Sequence, residues 1–90
     1  MNDGNRFDVD YDMLPEYMRE PAKRYVEDGD LPGRFLQAVL QNDFVQVVFR
    51  ADDINGAMLK DWAMWVYNEC PSQAWGSQKK MFKWSRERKG

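Results

Sequence analysis

Residues 52–70 read DDINGAMLKDWAMWVYNEC, and the reading of this stretch decides the fold. At about 100° per residue, Ile54, Met58, Leu59, Trp62, Trp65 and Val66 share a wide apolar arc, which Ala63 and Tyr67 extend past half the circumference. Polar side chains keep a narrow face around Lys60, Asp61 and Asn68, plus the two ends. A helix this apolar is normally wrapped by its neighbours. The spacing therefore predicts a central helix over about 52–69, stopped by Pro71, with Trp62 and Trp65 in the core.

The approach to that helix, FRADDINGAM over 49–58, has the look of a metal loop. Asp53, Asn55 and Gly56 fit the third, fifth and sixth places of a calcium-binding EF-hand loop. Ala51 stands where the first ligand is needed and Trp62 where the closing Glu is needed, so the pattern fails. Asp52 instead suits the N-cap of the helix, accepting from the N–H of Ile54 or Asn55, and Asp53 suits the positive end of its dipole. Arg50 is close enough to pair with Asp52 or with an acid on a neighbouring helix, Asp43 first among them.

Working outward, FVQVVF over 44–49 has the β-branched and aromatic content of a strand. A cap at Asn42 or Asp43 precedes it and helical patterns flank it, so we expect a short buried helix there. PGRFLQAVLQ places Phe35, Leu36, Val39 and Leu40 on one helical face. Upstream, Pro15 suits a first helical turn, Pro21 threatens a kink or a split, and Gly29 ends the segment. Downstream, Ser77 can cap a last helix with Met81, Phe82 and Ser85 facing inward. The expected architecture is all-α: one compact domain of four to five helices over 14–90, preceded by an extended or flexible acidic arm over 1–13. Thirteen aromatic residues and 43% apolar content supply the dense core that 90 residues require.

The arm alternates strictly from Phe7 to Met13, with Phe7, Val9, Tyr11 and Met13 against Asp8, Asp10 and Asp12. Two readings follow: an arm laid on the core by its apolar edge or frayed, or an acidic strip offered to a basic partner, with Tyr11 and Tyr17 as anchors. The chain carries a formal charge of −2, which hides a net −5 over residues 1–30 and a net +5 over 79–90. The basic end, Lys79, Lys80, Lys83, Arg86, Arg88 and Lys89, interleaves with Phe82 and Trp84. It suits either a solvated amphipathic helix with its rings packed inward or a nucleic-acid surface with cations on phosphates and rings on bases.

There is no histidine and one cysteine, Cys70. Histidine-assisted nucleophiles, a disulfide within the chain and cysteine-rich zinc sites are thereby excluded. Cys70 sits at the C-terminal end of the expected central helix, where the dipole disfavours a thiolate. Asp52 and Asp53 point about 100° apart on a regular helix and cannot both face one ion. The expectation is a protein that is not an enzyme and needs no cofactor or metal. The start lacks a signal-peptide pattern and no apolar run approaches a membrane span, which predicts a reducing cytoplasm.

RYVEDGDLPGRFLQAVLQNDF, RADDINGAMLKDWAMWVYNECP and WGSQKKMFKW together resemble a family of small phage and prophage proteins over about residues 14–84. The positions carrying the resemblance include Arg24, Tyr25, Pro32, Gly33, Asn42, Asp43, Arg50, Asp52, Asn55, Tyr67, Asn68, Pro71, Trp75, Gly76 and Ser77. The resemblance implies an all-helical phage accessory protein in the host cytoplasm. Such proteins commonly bind and inhibit a host protein, including nucleic-acid-binding defence complexes of the CRISPR kind. The acidic strip would then meet a basic groove; the other reading is a small nucleic-acid-binding regulator using the basic helix. The oligomeric state is open at this stage.

Overall fold

In the computed structural model, residues 7–90 are described, so residues 1–6 of the acidic arm lie outside the described residues. The described residues form α1 (Glu16–Asp28), α2 (Arg34–Gln41), α3 (Phe44–Arg50), α4 (Asp53–Ala57), α5 (Leu59–Asn68), a 3-10 turn (Ser72–Ala74) and α6 (Gln78–Lys89), with no strand among them. The all-α class expected from the periodicity is the class observed. Six α-helices replace the expected four to five, because the segment over 52–69 is two helices.

The break falls at Met58, whose φ of −117° and ψ of 25° leave the helical region. Two local features favour it. Gly56 weakens the helix that precedes it. The buried Asn55 turns its carboxamide oxygen inward to accept from the indole N–H of Trp62 at 3.0 Å. Met58 still accepts from the N–H of Trp62 at 3.0 Å, so α5 restarts at once.

Caps set the other boundaries. Asp43, Asp52 and Ser77 accept from the N–H of Gln46, Asn55 and Lys80, at 3.3, 2.7 and 3.1 Å, and so begin α3, α4 and α6. Gly29 closes α1 in the left-handed region, φ 77°, with its N–H bonded to Tyr25 and that of Asp30 bonded to Arg24. Asn42 does the same for α2 at φ 61°, with Asp43 reaching back to Ala38. Pro21 lies inside α1 without splitting it.

The core forms where α1, α2, α5 and α6 converge, around Tyr25, Leu36, Leu40, Trp62, Trp65 and Met81. Trp62 meets Phe35 edge-on at 5.3 Å and Trp65 edge-on at 5.9 Å. Three buried polar groups on the α1–α6 side donate to carbonyls. Tyr25 donates to Ala74 at 2.6 Å, Trp84 to Val26 at 3.1 Å and Ser85 to Gly29 at 2.6 Å.

Two expectations about burial fail. The segment over 44–49 is a helix, but α3 buries none of its residues and touches the body through the half-buried Gln46 and Val47. The helix over 59–68 is not wrapped either: Trp62, Trp65 and Val66 face inward, while Ala63, Met64 and Tyr67 face solvent, as does Ile54 of α4. Residues 52–70 supply the centre of the core with one face only.

Candidate functional site

At about 100° per residue, Phe44, Val48, Val45 and Phe49 follow one another within about 140° of arc on α3. All four are exposed, the two rings to 74% and 76%. The opposite side, Gln46 and Arg50, turns toward α2, where Arg50 donates to Gln46 at 3.2 Å. The expected pairing of Arg50 with Asp43 or Asp52 is not made. Asp43 and Asp52 both serve as caps, and the Gln46 carboxamide one turn back is the nearer acceptor.

Between α3 and α5 runs a groove of about 560 Å³. Phe44 and Val47 form one wall, Met64 and Tyr67 the other, and Val39, Trp62 and Val66 the floor. Asn42, Lys60 and Asn68 sit among its polar margins. Tyr67 is exposed to 78%, so its ring stands proud of the wall. Groove and α3 stripe are continuous through Phe44, and together they make an apolar face bounded by amides and a lysine.

The arm occupies a different surface. Val9 is buried, the Phe7 ring lies 5.6 Å from that of Trp84, and the Tyr11 ring lies 6.1 Å from that of Trp65. Asp8, Asp10 and Asp12 are all exposed. The apolar edge thus lies on the body while the acids face solvent. The row is not straight, because Asp8 adopts a left-handed φ of 56° and Leu14 closes a turn onto Tyr11 at 3.1 Å. The backbone is pinned: Asp10 donates to Glu69 at 2.8 Å, Asp12 donates to Asp10 at 2.9 Å, and Arg19 donates to the carbonyls of Asp12 and Leu14.

The two expected tyrosine anchors differ. The hydroxyl of Tyr11 is buried without a hydrogen-bond partner among the described residues, and burial with nearby Glu27 pushes its pKa up. Tyr11 is therefore a core contact. Tyr17 is exposed and donates to Asp52, which raises its pKa to about 12. Asp52 is held below the usual carboxylate range by the Asn55 N–H and then by Tyr17. Its oxygens thus serve the cap and a bond between α1 and α4.

On α6, Trp84 is buried and Phe82 half-buried, which takes the indole away from any base. The Arg88 guanidinium lies 3.6 Å above the Trp84 ring and Lys89 pairs with Asp30. Lys80 reaches the Ser72 carbonyl at 3.5 Å. Lys79, Lys83 and Arg86 are exposed at helical spacing along one outer stripe. Cys70 is buried, and burial raises its thiol to about 12, far from a thiolate at neutral pH.

Among the described residues no group of three or more His, Cys, Asp or Glu side chains could hold a metal ion, and no helix is long and apolar enough to cross a membrane. Comparison with family models, curated proteins and solved structures finds no match to the chain. Sequence reasoning singled out the arm and the basic helix but missed Phe44, Val45, Val48, Phe49, Met64 and Tyr67 as surface. Their signal was present in outline: α2, α3 and α5 each carry an apolar helical face, and a chain of 90 residues buries only roughly 60–65% of its unfolded surface.

Proposed function

We propose that this is a non-catalytic accessory protein that acts by surface contact with a protein, in line with its resemblance to phage proteins. The observation that carries this reading is the character of the large groove. Its walls and floor are aliphatic and aromatic, and among the described residues Lys60 and Tyr67 are its only titratable lining. A catalytic cleft would bring together polar groups matched to a reaction; an apolar face of this kind suits a contact surface. The target proposed is a host protein, of the kind represented by nucleic-acid-binding defence complexes, in the host cytoplasm. Asp8, Asp10 and Asp12 would steer its basic groove, with the exposed Tyr17 ring as an anchor.

Affinity capture from host cells at low salt, followed by mass spectrometry, tests this. One host protein in stoichiometric yield is expected, with recovery falling at least tenfold when Asp8, Asp10 and Asp12 are all changed to Asn. Absence of any such protein would defeat the reading. Recovery of nucleic acid, lost on changing Lys79, Lys83 and Arg86 to Gln, would favour the regulator reading, which the stripe on α6 supports through phosphate contacts alone. Its salt slope would then be at most roughly −0.9 for each of those cations.

A further inference from the structure

We infer that the apolar face formed by α3 and α5 is the two-fold interface of a homodimer. This goes beyond the proposed function, which takes the groove as the mark of a contact protein and assigns the host contact itself to the acidic strip on another surface.

Area is the first argument. Phe44, Phe49 and Tyr67 are exposed to 74%, 76% and 78%. With roughly 150–250 Å² per aromatic side chain, these rings alone present on the order of 350–550 Å². Val45, Val48 and Met64, exposed to 55%, 45% and 44%, enlarge the patch. The total, roughly 600–800 Å², clears the ~500 Å² per partner that a specific interface needs and lies at or above the top of the ~300–600 Å² typical of the largest patch on a monomer.

Shape is the second. The projecting rings of Phe44 and Tyr67 flank a recess of about 560 Å³, and Phe49 continues the apolar stripe further round α3. A two-fold axis sets the rings of each copy over the recess of the other, so one surface supplies both halves of the fit. The margins suit such a contact, because an apolar centre rimmed by Asn42, Lys60 and Asn68 has the anatomy of a protein interface.

The third is the helix itself. α3 has seven residues and buries none of them. A helix of that length has little stability of its own and draws on packing for the rest. The copy across the axis provides that packing at the concentration at which the chain itself is made.

Sedimentation velocity on the purified full chain across the micromolar range tests the inference. The expected particle is twice the 10.7 kDa chain mass, dissociating on dilution. Phe49→Glu on α3 and, separately, Tyr67→Ser on α5 should each weaken the dimer at least tenfold. Far-UV circular dichroism at high dilution checks that both variants keep the helical content of the parent, and the α5 variant serves if the α3 variant unfolds. A monomer at every concentration overturns the inference. So does a dimer that both folded variants leave intact, since its interface would lie elsewhere. A monomer whose host protein is lost with Phe49→Glu also overturns it, and moves the host contact from the acidic strip to this face.

Discussion

α2 and α3 are neighbours in the chain, nearly equal in length and both apolar, yet their fates are opposite. RFLQAVLQ buries Phe35, Leu36, Ala38, Val39 and Leu40, whereas FVQVVFR buries nothing. The difference is not one of hydrophobicity. α2 lies against α3, α5 and α6, with helices on several sides, while α3 has α2 as its principal neighbour. Burial is a property of the surroundings, and of these two successive apolar stripes the chain covers only the first.

The sharpest way to break that contrast is to cut back one side chain from each helix. Leu36→Ala, at a site with 0% exposure, should lose about 2–5 kcal/mol in urea denaturation. Phe49→Ala should change the stability of the dilute chain by less than about 0.5 kcal/mol, although a larger ring is lost. Equal losses at the two sites would mean that α3 is covered within the single chain.

A second comparison concerns how α1 and α2 end. Both close on a left-handed residue, but Gly29 is pressed against α6 and Asn42 faces solvent. A Cβ at position 29 would come within 2.6 Å of the Arg88 Cβ and 2.7 Å of the Ser85 carbonyl oxygen. Gly29→Ala should therefore cost about 2–4 kcal/mol, from the left-handed penalty and the overlap together. Asn42→Gly should stay within about 0.5 kcal/mol, and thermal melts of the pair compare the two ends directly.

The smallest effect expected is electrostatic and separates the caps of α3 and α4. Asp52 has its pKa lowered in the folded chain, so its contribution is present above the ordinary carboxylate range. That contribution is lost as pH falls through about 4 and below. Asp52→Asn should flatten part of the acid limb of stability against pH, and Tyr17→Phe should shift that limb slightly upward by removing one of the bonds to the carboxylate. Tyr17 runs the other way: its raised pKa keeps its contribution intact below about 10 and loses it as pH rises through about 12.

Much of the local structure was legible in the residues. Asp52 and Ser77 as caps, Gly29 as a stop, the inward Met81 and Ser85, and the alternation that lays Val9 inward and the aspartates outward each follow from a short-range rule. What was not legible depends on partners distant in sequence. The periodicity of 52–69 holds no sign that Asn55 is drawn inward by Trp62, so one long helix was the natural reading. The same six letters, FVQVVF, describe a buried helix or an open one, and only the number of helices around them distinguishes the two. Arg50 likewise had two acids within reach on paper, while the helix put Gln46 nearer. At the candidate surface the strip was visible in advance, and the apolar face was hidden by the assumption that every apolar helix ends up enclosed.

The seam between α1 and α6 bears on how the chain comes to be made. Trp84 reaches Val26 across 58 positions, Ser85 reaches Gly29 across 56, and Lys89 reaches Asp30 across 59. On a translating ribosome α1 therefore emerges with Tyr25 and Val26 unprotected, and the helix that shelters them follows only 56 to 59 positions later. At roughly 5–20 residues per second that interval is several seconds long. Closure of this seam is accordingly deferred until α6 has emerged, and a ribosome stalled before α6 would carry a chain for proteases and chaperones to clear.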